Sequence, residues 1–139
     1  MSIEKKIRLT AHTDNDLKIF SYLCQDAIIS KDEYFYDKKN KYFVAILSRY
    51  CWEKQESNDQ NVSYRVVSGL QFRNVNNIEY INFKSNSTFY NLLAITYSKK
   101  NIILNFSMSS KIKLDCKIID ATIEDMDIPW PTKLKPQHK

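Results

Sequence analysis

The chain has 139 residues, a formal net charge of +5 and a single glycine, Gly69, where average usage of roughly 7% would give about ten. That scarcity excludes phosphate cradles, dinucleotide fingerprints and nucleophile elbows, all of which need glycine-rich turns. No stretch approaches the roughly 20 apolar residues of a membrane span, so a soluble, cytoplasmic protein is expected, one domain over 1–139.

Ile3, Ile7, Leu9 and Ala11 alternate with polar residues, which predicts a half-buried strand. Thr13 or Asp14 then caps a helix, with Asp14 and Asp16 placing negative charge in its first turn. Leu17, Phe20, Leu23, Cys24 and Ala27 give that helix one apolar face.

Everything after the helix reads as strand. Tyr34-Phe35-Tyr36 runs into a turn at Asp37-Lys38-Lys39-Asn40 and returns as a long strand over 41–52, apolar on both faces and therefore central. Residues 53–63 read as a polar loop, 64–74 as a strand turning through Asn76-Asn77 into 78–83, and 84–88 as a second loop. A hairpin over 91–108 turns at Lys99-Lys100-Asn101. A last strand keeps Ile112, Leu114, Cys116 and Ile118 on one face, then switches to Ile119, Ala121 and Ile123, which predicts a bulge or sharp bend. The tail from about residue 129, with three prolines, is expected to run extended, Trp130 anchoring it. The expected fold is α+β: a strongly bent antiparallel sheet, a roll or partial barrel of about eight strands, with one N-terminal helix packed on it. Gly69, mid-strand, is expected to bend that sheet.

Three cysteines, Cys24, Cys51 and Cys116, form no CxxC pair and read as buried free thiols. Two histidines, His12 and His138, without clustered ligands suggest neither a catalytic triad nor a metal site, so no catalytic residue, metal or cofactor is assigned. Of the 21 basic residues 17 are lysine, the mark of an AT-biased genome, which makes Arg8, Arg49, Arg65 and Arg73 notable. The first reading is structural pairing with carboxylates; the second is an anion or partner site, with Arg49 and Arg65 brought to one face by hairpin pairing, beside Trp52. A third candidate is the basic turn Lys38, Lys39 and Lys41 with its flanking aromatics, the ingredients of a nucleic-acid stacking platform.

Several phrases occur together in order: Leu9-Thr10-Ala11-His12, Gln25-Asp26-Ala27, Ser48-Arg49-Tyr50, Ser68-Gly69-Leu70 and Pro129-Trp130-Pro131-Thr132. Together they resemble the DUF2948 family, small alphaproteobacterial proteins of unknown function. The resemblance implies a cytoplasmic single-domain protein and no particular reaction. It also implies glycines in the turn near 108–111, where this chain has Met108-Ser109-Ser110-Lys111. The expected function is a non-catalytic binding or adaptor role through a protein partner, with RNA or polyanion binding through Lys38–Lys41, Arg49 and Arg65 as the alternative and an enzyme less favoured.

Overall fold

A computed structural model describes residues 6–55, 63–83, 88–126 and 130–132. Strand β1 (Arg8–Ala11) leads into helix α1 (Asp14–Leu23), followed by β2 (Ala27–Asp37), β3 (Tyr42–Tyr50) and the one-turn helix α2 (Trp52–Gln55). Then come β4 (Ser63–Phe72), β5 (Asn77–Ile81), β6 (Phe89–Ser98), β7 (Asn101–Phe106), β8 (Lys111–Asp115), β9 (Ala121–Asp125) and β10 (Trp130–Thr132).

Helix α1 starts where the sequence places it. Thr13 Oγ1 accepts the Asp16 N–H at 3.1 Å, and the Asp16 carboxylate accepts the N–H groups of Thr13 and His12 at 3.2 and 2.9 Å. This capping box satisfies donors that the first helical turn leaves open. Leu17, Phe20 and Leu23 are buried as expected. Ala27, expected on the same helical face, instead opens β2: Asp26 takes a positive φ of 64° and donates its N–H to Leu92 O at 2.7 Å, which turns the chain into the sheet.

All ladders are antiparallel, in the order β1-β9-β4-β3-β2-β6-β7-β8-β5, and β10 pairs with β4. The central place expected for 41–52 is that of β3. Strands β2 and β5 are four ladders apart, about 19 Å in a flat sheet. Yet the rings of Tyr34 on β2 and Tyr80 on β5 lie 5.9 Å apart, and Tyr36 Oη donates to Val75 O at 2.9 Å. The sheet is therefore rolled, though among the described residues no ladder joins β1 to β5 to close a barrel. Its inner face carries one continuous core, including Phe20, Phe43, Leu70, Phe72, Leu92 and Leu104. Helix α1 packs beside β6, where Ser21 Oγ accepts the Ile95 N–H at 2.9 Å, beyond the reach of the β2–β6 ladder.

The structure corrects some local expectations and adds to others. Leu9, expected inside, is 39% exposed, and only Ala11 of β1 is fully buried. Residues 78–81 follow the Asn76-Asn77 turn as foreseen, and their ladder partner is β8. The predicted single bent strand over 111–123 is two strands: β8 pairs with β5 and β7, whereas β9 crosses to β4 and β1. The parity switch at Ile118/Ile119 marks that crossing, with Ile118 66% exposed and Ile119 buried. No bulge marks Gly69. It lies in uninterrupted register between Ile46 and Glu124, and a Cβ there would meet only Met126 Sδ, at 3.5 Å, and Cγ. The register breaks that let the sheet curl lie between Ile29 and Tyr34 and between Leu92 and Ala94. In the tail, 130–132 adds a short strand to β4; the Trp130 side chain, residues 56–62, 84–87 and 133–139, and His138 with them, fall outside the description.

Candidate functional site

Side chains alternate across a strand, so the β3–β4 register decides what the two candidate arginines can do together. Arg49 pairs with Val66 and points to the core face with Leu47; Arg65 pairs with Tyr50 and points to the other face. The expectation that hairpin pairing unites them is thus overturned by one residue of parity.

The Arg49 guanidinium is fully buried. Its Nη1 and Nη2 donate to Glu53 Oε1 and Oε2 at 2.9 and 2.8 Å, a forked pair. Its Nε and Nη2 also reach Asp125 Oδ1 at 3.2 and 3.0 Å, and Nε reaches Ser68 Oγ at 3.1 Å. Ser68 Oγ donates to Asp125 Oδ1 at 2.7 Å, and the Ile7 N–H donates to Oδ2 at 2.9 Å. Burial alone would depress the Arg49 pKa; the hydrogen bonds and charges of Glu53 and Asp125 outweigh it and hold the guanidinium more firmly protonated than usual. Every guanidinium nitrogen is engaged, as a buried charge requires. Beside this node the Cys24 thiol is pushed up to about 12 by burial, against a small opposing pull from Arg49.

Arg65 donates from Nη1 to Ser48 O at 3.1 Å. Burial lowers its pKa, partly countered by the charge of Asp26. Trp52 donates its Nε1–H to Gln25 O at 2.8 Å and stands edge-on to Tyr50, with ring centroids 4.5 Å apart. Trp52 therefore ties the start of α2 to the α1–β2 turn. Arg8 pairs with Glu124 at 3.6 Å and Arg73 with Asp120 at 2.9 Å, so three of the four arginines meet carboxylates, as the structural reading expects. Glu53, four residues past Arg49, was within reach of sequence spacing. Ser68 and Asp125 were not, since only the folded sheet brings them there.

Lys38, Lys39 and Lys41 are exposed at the opposite end of β3, in a turn held by Asn40 N and Nδ2 donating to Asp37 at 3.0 and 2.9 Å. They make no contact with the arginine node. The three cysteines are buried and free, as expected. Among the described residues no group of three metal-ligating side chains gathers, and no helix is long and apolar enough to cross a membrane.

The outer face of the sheet is the other candidate surface. Here β3 presents Val44 and Ile46, flanked by Phe35, Ile28 and Phe89 on one side and by Gly69 and Met126 on the other. Shallow depressions of about 240 and 300 Å³ lie along it, the first over Gly69 and Met126, the second between Phe35 and Ile46 with Asp32 and Glu33 at its rim.

No curated protein and no solved structure matches this chain. One family model does match, over residues 7–138, and the chain belongs to that family, DUF2948, described as a protein of unknown function.

Proposed function

We propose that this chain is a non-catalytic binding domain that docks a polypeptide partner on the outer face of β2, β3, β4 and β9. The observation that carries the reading is an apolar patch on that face: Phe35, Phe89 and Met126 are 58%, 65% and 55% exposed around half-buried Val44, Ile46 and Val67, with Gln71, Thr122 and Glu124 as its polar edge on β4 and β9. A half-solvated antiparallel sheet ordinarily alternates apolar-in with polar-out. A contiguous apolar patch on the outside marks an interaction surface. The polar groups gathered in the interior, by contrast, are already engaged with one another.

The chemistry of the rim selects the partner. Asp32 and Glu33 border the depression lined by Phe35, Val44 and Ile46, and among the described residues neither forms an ion pair. A segment with apolar side chains and basic flanks fits such a surface by charge as well as by burial. Gly69, by leaving out a side chain, keeps open the floor of the neighbouring depression.

A displayed random-peptide library selected against the protein tests this. Sequences combining apolar residues with Lys or Arg should enrich, and Ile46→Lys, at the centre of the face, should weaken them by tenfold or more, about 1.4 kcal/mol. An absence of enrichment, or enrichment indifferent to Ile46→Lys in a variant that still folds, overturns the reading. The alternative of a polyanion held by Arg49 and Arg65 loses its basis, because Arg49 is enclosed by carboxylates and Arg65 lies on the opposite face.

A further inference from the structure

Four connections meet at one end of the roll through backbone hydrogen bonds. The Val75 N–H donates to Lys41 O at 2.8 Å, Asn76 N–H to Asp115 O at 2.9 Å, Cys116 N–H to Lys100 O at 2.9 Å and Arg73 N–H to Asp120 O at 2.8 Å. Turns far apart in sequence, such as 38–41 and 99–100, are thereby joined into one surface. Lys38, Lys39, Lys41, Lys99, Lys100 and Lys117 all project there, exposed.

Their charge is only partly offset. Asp120 is already paired with Arg73, while Asp37, held below the usual carboxylate range by hydrogen bonds from Asn40, and Asp115 leave an excess of positive charge at this end. Among the described residues none of the six lysines forms an ion pair. Genome bias multiplies lysines over a whole surface; it does not collect six on one end while every ion-paired cation among the described residues is an arginine. Lys41, Lys99 and Lys100 also hold positive φ values of 59°, 51° and 64°, so their backbones sit in defined turns.

Beside the lysines, on the outer face, Phe35 and Tyr42 stand edge to face with centroids 6.4 Å apart, and Phe35 is 58% exposed. Tyr34, Tyr36 and Phe43, their sequence neighbours, turn inward to the core. A positive end flanked by an exposed aromatic ring is the arrangement that binds a charged backbone and stacks an unpaired base. We infer that this end of the roll is a binding surface for single-stranded nucleic acid, with phosphates held by the six lysines and a base stacked on Phe35. The surface shares Phe35 with the edge of the peptide-docking face, whereas the six lysines lie outside the depression lined by Val44 and Ile46.

Fluorescence anisotropy of labelled oligouridine and oligothymidine with the full chain, across a salt series, provides the test. Binding at low salt should weaken steeply as salt rises. The variant carrying Lys38→Ser, Lys39→Ser, Lys100→Ser and Lys117→Ser should lose about 3 from the log–log salt slope, at about 0.7 per phosphate contact. Phe35→Ser should weaken binding roughly tenfold with the slope unchanged, because stacking is not ionic. Binding to either strand supports the inference, and the ratio between them shows whether the ribose hydroxyl is read. Three results overturn it: no binding at low salt, an unchanged slope in the four-lysine variant, or binding to phosphatidylserine vesicles with none to either oligonucleotide.

Discussion

Strand β3 carries two kinds of positive charge at its two ends. At one, Arg49 is buried between Glu53 and Asp125, with Ser68 closing the ring. At the other, Lys38, Lys39 and Lys41 stand in water beside Lys99, Lys100 and Lys117. In a lysine-rich chain, arginine survives where a rigid fork must meet two carboxylates out of water, a geometry one ammonium cannot reproduce. Lysine suffices where the charge stays solvated. The difference separates charge committed to holding the fold from charge left available to a ligand.

Breaking the buried end should have the largest effect. Arg49→Leu leaves Asp125, whose side chain is 1% exposed, without the cation that compensates it. Removing one partner of such a pair typically costs about 3–5 kcal/mol, a large part of the stability of a domain this size. Urea denaturation should show the midpoint collapse. A loss below about 1 kcal/mol would mean that water reaches the node, and the contrast between the two ends of β3 would disappear.

A second measurement reports how dry that end is. Burial pushes the Cys24 thiol from 9.0 up to about 12, and Cys116 likewise. Because the folded value lies above the unfolded one, the stabilisation is complete below pH 9.0 and drains away as pH rises toward 12. At pH 10 the Cys24 thiol should already subtract on the order of 1 kcal/mol from the stability measured at neutral pH. Cys24→Ala should flatten the alkaline arm of a stability–pH profile by that amount. If the arm keeps its steepness in the variant, the thiol is hydrated and the node beside it is not sealed.

What could be read from the sequence follows the range of each interaction. The capping box of Thr13 and Asp16, the Asp37–Asn40 turn and the Lys99–Lys100 hairpin are local, and all three stand where the residues put them. The central place of β3 was legible because both its faces are apolar. The parity switch near Ile118 was visible too, although its meaning, a crossing from β8 to β9, depends on pairing partners that alternation cannot name. The distant mate of Arg49 lay beyond reach for the same reason: Asp125 is 76 residues away and acquires its role only when β9 docks on β4. Gly69 misled because a glycine in a strand usually marks a bend, whereas this one occupies regular register on an outer face. The positions that do need a left-handed backbone went to other residues. Met108 and Ser109 have φ values of 63° and 61° in the very turn where the family resemblance implies glycine.

The smallest effect should come from the exposed end, and its smallness is what makes it informative. Replacing Lys38, Lys39, Lys100 and Lys117 by serine removes four solvated charges that form no ion pair among the described residues. Surface changes of that kind ordinarily stay within about 0.5 kcal/mol. Here the sign should favour the variant at low salt, since like charges gathered on one end repel, and the gain should fade as salt screens them. Thermal melts at low and high salt would register both. A stability that rises when the lysines are removed means that folding alone does not account for their being gathered there, and the contrast with Arg49 then becomes one of purpose as well as of burial. A variant that loses more than about 1 kcal/mol would instead place these lysines with Arg49, as part of what holds the roll together.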